Sequence, residues 1–209
     1  AASDVYKRQA VGGGLPNQVV DIDNSIEKNI KNLADAKNVT PADIVVCILD
    51  RPRHKDIISG VRESGARIML ISDGDVSGVI ATAQPDAGVD LYLGSGGAPE
   101  GVLAAAALRC IGGQMQGRLM FRNDDEISRA RRWGIEDLEK KYCLSELAKG
   151  DVMFAATGVT GGTMLKGVKR FPGGADTHSI IMRSSTGTVR TIEAHHDWRR
   201  KPISSDLKV

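Results

Sequence analysis

Apolar residues recur along this chain in two patterns, short continuous runs and stripes at helical spacing, and the two alternate. Ile44-Val-Val-Cys-Ile-Leu49 is a continuous run, as expected of a strand buried on both faces of a parallel sheet. Residues 67–72 and 89–93 repeat it. Between the first two runs, Ile57, Ile58 and Val61 mark a helix that Gly65 closes, and residues 76–83 predict another, stopping near Pro85. After Leu93, the glycines Gly94, Gly96 and Gly97 predict a tight turn. Pro99 then stands where a helix takes a first-turn proline, and residues 102–108, almost all Ala and Leu, continue that helix. Residues 44–110 therefore read βαβαβα, a largely parallel sheet with right-handed crossovers.

Upstream, Ile26, Ile30 and Leu33 give residues 19–36 helical spacing, and residues 40–43 form a turn. Downstream the pattern loosens. Residues 112–121 predict a strand or extended connection, 124–141 a charged surface helix without chemistry, and 144–148 a short helix. Residues 151–156 read as a strand, 157–163 as a Gly/Thr-rich loop, and 164–168 as helix-like; 177–183 and 188–193 make a hairpin. The loop lacks the Gly-Lys-Ser/Thr ending of a nucleotide P-loop, and no dinucleotide fingerprint follows a strand. His195 and His196 are neighbours on a strand and point to opposite faces, so one metal ion shared between them is disfavoured.

Composition fits a layered α/β protein: 209 residues, 41% hydrophobic but only 4% aromatic, with 24 glycines for the many turns. A formal charge of +2 argues against nucleic acid as partner. No apolar run is long enough for a membrane span and no leader is visible, so a soluble, cytoplasmic protein is expected. Cys47, Cys110 and Cys143 are scattered without a metal-ligand pattern and read as reduced thiols. Residues 1–9 are different in kind. Asp4-Val-Tyr-Lys-Arg-Gln9 back-translates into the end of a sequencing-library adapter, so this segment is expected to be non-native and foreign to the fold, with residues 199–209 a loose tail.

In an open parallel sheet the loops after the strands share one edge, where ligands bind. Arg51, Pro52 and Arg53, then Asp73, Gly74 and Asp75, then Gly97 and Glu100 fall in three such loops. Arginines, a Gly-rich turn at a helix N-terminus and carboxylates together describe a phosphate-and-metal site. Glu100 beside an anion-attracting turn needs a cation between the two charges, which suggests a divalent metal.

These residues have a family resemblance. Asp73-Gly-Asp-Val76, Gly94-Ser-Gly-Gly-Ala-Pro-Glu-Gly101, Arg51-Pro-Arg-His54 and Ala155-Ala-Thr-Gly-Val-Thr-Gly-Gly162 together resemble the class II fructose-1,6-bisphosphatases of bacteria, over residues 10–198. The resemblance implies a layered fold of the lithium-sensitive sugar-phosphatase type. It implies Mn²⁺- or Mg²⁺-dependent hydrolysis of the 1-phosphate of fructose 1,6-bisphosphate in gluconeogenesis, by a homo-oligomer whose partner is the small-molecule sugar bisphosphate. On that likeness Glu100 corresponds to a metal ligand and Arg51 and Arg53 to substrate-binding arginines at the 6-phosphate. Asp73, Gly74 and Asp75 correspond to the segment holding sugar hydroxyls, Gly97 to a backbone contact, and Tyr6 falls near a substrate-contacting tyrosine. The family's amino-terminal half, with its further acidic ligands and a lysine, has no counterpart before Ala10, so a carboxyl-terminal fragment inactive by itself is expected. A sedoheptulose-1,7-bisphosphatase or dual-substrate enzyme and a non-catalytic sugar-phosphate-binding module are the alternatives.

Overall fold

The computed structural model describes residues 5–200. β1 (Val5–Gly12) leads through a loop to α1 (Ile26–Lys37). Ser25 caps α1 by accepting from the Lys28 N–H, and Asn38 ends it in the left-handed region at φ 55°. β2 (Val45–Leu49), α2 (Lys55–Glu63), β3 (Arg67–Ile71), α3 (Asp75–Ala81), β4 (Leu91–Gly97) and α4 (Ala98–Ile111) then alternate as the apolar pattern requires. β5 (Gly113–Met120), α5 (Asp124–Arg132), β6 (Tyr142–Cys143), α6 (Leu144–Leu147) and β7 (Met153–Thr157) follow, before β8 (Lys169–Phe171), β9 (Gly174–Arg183) and β10 (Thr188–Asp197).

Two sheets result. The first has strand order β3-β2-β4-β1-β5-β6, with β2 parallel to β3 and β4, and β1 antiparallel to both β4 and β5. The second joins β10, β9 and β7, with β8 also on β9. Alternation along β2 sends Val46 and Ile48 to one face, against Ile30 and Leu33 of α1 and Val61 of α2, and Cys47 to the other, against Val79 of α3 and Leu108 of α4. Ile30, Leu33, Ile48 and Leu108 are all 0% exposed, and each contributes about 1.5–3 kcal/mol of burial. The far sides of α3 and α4, through Ile80, Ala107 and Cys110, meet Phe154, Ile180 and Met182 of the second sheet. The layers therefore run helix, sheet, helix, sheet.

The parallel sheet expected within residues 44–110 is present, and several local expectations are corrected. Gly94, Gly96 and Gly97 form no tight turn; they continue β4 and pair with Arg8, Tyr6 and Val5 of β1. α1 starts only at Ile26, because residues 21–24 are held in turns by Asn29 and Asp21. The charged segment after 124 is helical only to Arg132, and Gly134, at φ 79°, turns the chain away. That helix is not purely superficial, since Glu126 is buried against Arg122. Residues 164–168 are not helical: Leu165 packs into the core beside Phe154, and the chain passes directly into β8. Val5 to Gln9 do not lie outside the fold, because they form more than half of the central strand β1. That placement concerns conformation and is independent of the segment's coding origin. Of the tail, residues 198–200 form a single 3-10 turn and residues 201–209 lie outside the described residues.

An ion-pair cluster fastens the loop before α1 to β5. Arg118 forks onto Asp23 at 2.6 and 3.1 Å, and Lys141 Nζ lies 2.7 Å from Asp21 and 3.0 Å from Asp23. Arg118 and then Lys141 lower the Asp23 carboxyl from its usual 3.8 to about 2. A depressed folded value adds stability that is complete above the unfolded value and disappears as pH falls through the folded one. Thermal melts at low salt should therefore show Tm falling between pH 4 and 2, with Asp23→Asn removing part of that fall. Because Asp23 is half exposed, the effect is small, below about 1 kcal/mol, and shrinks further at high salt.

Candidate functional site

The helices following two adjacent strands leave on opposite faces: α2 after β2 packs with α1, whereas α4 after β4 packs with α3. A crevice must open between the carboxyl ends of two such strands, which is where open α/β sheets bind ligands. The β2 loop, the β3 loop and the end of β4 all lie at this edge of the sheet.

Each loop has a local reason for its shape. After β2, Pro52 starts a 3-10 turn over Pro52–His54 that continues into α2. That turn leaves Arg51 and Arg53 at the surface and drives His54 fully inside. After β3, Gly74 takes φ 81°, a left-handed conformation that suits glycine, and α3 begins at Asp75. At the end of β4, Gly97 is the N-cap of α4 without a side-chain hydrogen bond, and Ala98, Pro99 and Glu100 make the first turn. The unpaired N–H groups of that turn favour an anion.

Arginines join the loops. Arg51 Nη2 lies 2.9 Å from Asp73 Oδ1, linking the first loop to the second at the surface. Arg53 donates from Nη2 to the Ser95 carbonyl at 2.8 Å and from Nε to Ser95 Oγ at 3.2 Å, linking the first loop to β4. Arg8, 0% exposed along its side chain, pairs with Asp75 at 2.9 Å and donates to the Gly97 carbonyl at 2.6 Å. Of the residues expected at the site, Arg51, Arg53, Asp73, Asp75 and Gly97 are thus tied together, and Gly74 shapes the turn between the aspartates. Pro52 sets the first loop, its carbonyl accepting from the Lys55 N–H. Glu100 is exposed and folds back over Gly97. Tyr6 pairs with Gly96 across the sheet and packs edge-on against Tyr142, with ring centroids 6.3 Å apart.

Four neighbours escaped the sequence reading: Arg8, His54, Ser95 and Tyr92. His54 Nδ1 is 2.8 Å from the Leu49 carbonyl, and Nε2 accepts from the Ser95 N–H at 3.0 Å. Burial, and after it the Asp75 carboxylate, push the Tyr92 hydroxyl well above the usual tyrosine range, so it stays protonated. A polar residue amid glycines, Ser95, was the available signal for a built floor. Nothing in the pattern distinguished the buried His54 from its exposed neighbours.

Chemically, arginine forks suit a phosphate, and the aspartates accept from hydroxyl groups. The described residues do not make a metal site by themselves, because no three His, Cys, Asp or Glu side chains among them are placed to share an ion. His195 and His196 lie on the second sheet, engaged by Asp176 at 2.7 Å and Thr177 at 2.9 Å.

Comparison with known proteins adds a family. The profile described as "Bacterial fructose-1,6-bisphosphatase, glpX-encoded" matches residues 1–196. A D-fructose 1,6-bisphosphatase class 2/sedoheptulose 1,7-bisphosphatase of Trichodesmium erythraeum is 40% identical, covering 94% of this chain and 61% of the relative. Proteins of the same name from Crocosphaera subtropica and Microcystis aeruginosa are 39% and 38% identical, over 100% and 96% of this chain and 64% and 62% of their own lengths. The chain thus spans about six tenths of the length of these curated relatives.

The glycines make a stability test of the site's floor. A Cβ on Gly96 would lie 2.6 Å from Arg8 Nη2 and 2.8 Å from Asp75 Oδ2, two groups held in a largely buried pair. A Cβ on Gly97 would meet Glu100 Oε2 at 2.2 Å, but that carboxylate is exposed and can swing away. Gly96→Ala should destabilise by about 1–3 kcal/mol, whereas Gly97→Ala should cost less than about 0.5 kcal/mol. Denaturant titrations of both variants check the difference.

Proposed function

The chain belongs to the glpX-encoded bacterial fructose-1,6-bisphosphatase family, and from that premise we propose that the whole protein hydrolyses the 1-phosphate of fructose 1,6-bisphosphate, releasing fructose 6-phosphate and phosphate. The observation that carries the reading is the crevice between β2 and β4, where two arginines, two aspartates and a helix N-terminus from separate loops converge. Arg51 and Arg53 hold the distal 6-phosphate by charge-assisted hydrogen bonds. Asp73 and Asp75 accept from sugar hydroxyls, with Gly74 fixing their spacing and Gly97 giving a backbone contact. The helix layer between two sheets supports assignment to the lithium-sensitive sugar-phosphatase type of fold.

Glu100, at the mouth of the same crevice, is one proposed ligand for Mn²⁺ or Mg²⁺. Alone it does not make a site, and no three His, Cys, Asp or Glu side chains among the described residues are placed to share an ion with it. The residues of this chain account for recognition: they orient the sugar bisphosphate by its distal phosphate and hydroxyls. Binding of that kind is shared by ground and transition states.

A second reading has a specific observation behind it. Each of the three relatives carries both the fructose and the sedoheptulose bisphosphatase names. An Arg-rich rim that grips a distal phosphate tolerates a sugar one hydroxymethylene longer, so a dual-substrate enzyme is the alternative. Comparing kcat/KM of the whole protein on the two bisphosphates distinguishes the readings: a ratio near one favours the dual enzyme.

Two substitutions in the whole protein test the assigned roles. Arg53→Ala should raise KM by about ten- to a hundredfold, with a smaller change in kcat, because it removes charged hydrogen bonds to the non-reacting end. Glu100→Gln keeps shape and loses charge. If Glu100 holds the ion, kcat should fall by about a hundredfold or more, with partial recovery at millimolar Mn²⁺ and an unchanged Tm. If it is only a helix-dipole partner, Glu100→Gln costs about 0.3–1 kcal/mol of stability and leaves kcat intact. Phosphate release across a Mn²⁺ titration, beside thermal melts, separates the two.

A further inference from the structure

His54 is a fully buried imidazole at the base of the crevice, and the proposed reaction gives it no part. Its surroundings are specific. The Ser95 N–H donates to Nε2 at 3.0 Å, so that nitrogen carries the lone pair, and the proton on Nδ1 donates to the Leu49 carbonyl at 2.8 Å. Ser95 Oγ lies 3.1 Å from the same Nε2 and also accepts from Arg53 Nε at 3.2 Å. Nε2 has one lone pair, so the Ser95 N–H and hydroxyl both face the same acceptor. Contacts thus connect the Arg53 guanidinium, Ser95 and the imidazole, and the opposite ring nitrogen is fastened to the last residue of β2.

This chain of contacts crosses the crevice from below. Leu49 belongs to β2 and Ser95 to β4. The ring lies directly beneath β4: a Cβ at position 94 would be in van der Waals contact with it, 3.4 Å from His54 Cε1. Arg53 is exposed, and an unanchored exposed arginine samples many rotamers. Here Nε and Nη2 are committed to Ser95, which fixes the guanidinium plane and leaves Nη1 and the outer N–H of Nη2 directed away as a fork.

We propose that His54 is a positioning residue: acting through Ser95, it fixes the Arg53 guanidinium so that its outer edge meets the distal phosphate of the sugar bisphosphate. This rests on the reading of Arg53 given above. The ligand group recognised is a phosphate monoester dianion remote from the reacting phosphate, so the imidazole acts on affinity and takes no proton from substrate.

Two amide replacements separate positioning from mere support. Asn places its amide near Nδ1, keeping a donor for Leu49 and losing Ser95. Gln reaches to the position of Nε2, keeping an acceptor for the Ser95 N–H and losing Leu49. Both remove the ring and should lower Tm alike. In the complete protein, assayed well below the midpoints, His54→Asn and Ser95→Ala should raise KM for fructose 1,6-bisphosphate about tenfold with kcat changed less than about twofold, while His54→Gln brings KM back to within about threefold of the original. The independent readout is the Arg53 Nε–H resonance in ¹⁵N-arginine-labelled protein without ligand. It should be slow to exchange in the original and in His54→Gln, and faster in His54→Asn and in Ser95→Ala, where only the 3.3 Å contact of Nε with the Ser95 carbonyl remains. Equal KM increases for Asn and Gln, or an Nε–H that stays protected in His54→Asn, would overturn the proposal. If the unsubstituted protein releases no phosphate from the bisphosphate, the functional reading falls, and the Nε–H exchange still decides what His54 does.

Discussion

The site depends on a steric constraint at the end of β4, where residues 94–97 are Gly-Ser-Gly-Gly. Side chains from three directions press on this short piece of backbone. Tyr92 and His54 approach at Gly94, Arg8 and Asp75 at Gly96, and Glu100 folds over Gly97. At Gly96 a larger residue would push Arg8 and Asp75 outward and open the contacts between loops, whereas at Gly97 the Glu100 carboxylate can swing away. None of Gly94, Gly96 and Gly97 has a positive φ, so their value lies in close approach, with conformational freedom playing no part. That distinguishes them from Gly74, which is needed for its left-handed φ.

Around this floor the polar contacts are graded by burial. At the bottom, the Arg8–Asp75 pair and the His54 contacts are shielded from solvent, and removing one partner would leave the other buried and unsatisfied. At the rim, Arg51 and Asp73 meet with 36% and 87% of their side chains exposed, and such a pair contributes about 0–1 kcal/mol. A ligand can replace a rim pair cheaply and a floor pair only at great cost. Arg53 stands between the two regimes, one edge fixed to Ser95 and the other free.

The layers explain why α4 is so apolar around its circumference. One side meets the first sheet through Ala104 and Leu108, and the other meets the second sheet through Ala107 and Cys110. A helix covered on two sides needs small residues to let both sheets approach, which its alanines provide. Its first two turns are the part that emerges, with Val102 and Leu103 about half exposed and Glu100 beside the crevice. The same helix thus carries core packing along its length and candidate chemistry at its end.

Continuous apolar runs made β2 and β3 legible, and Ile57, Ile58 and Val61 did the same for α2, because burial on both faces of a parallel sheet leaves no room for polar alternation. The sharing of one edge by Arg51, Arg53, Asp73, Asp75, Gly97 and Glu100 followed from strand order alone. What sequence pattern could not decide was conformation that depends on distant partners. Gly94, Gly96 and Gly97 carry the composition of a turn, yet pairing with β1 draws them into a strand, because an unpaired N–H beside an antiparallel neighbour is worth more bonded. Residues 164–168 have a helical stripe, but Leu165 is needed in the core between the sheets. Val5 to Gln9 lacked any pattern of their own and gained a place only through β4 and β5. His54 was hidden for the same reason: a 3-10 turn of three residues decides which of Arg53 and His54 faces the interior. Only the meeting of β2 with β4 made that interior a place where an imidazole finds both its partners.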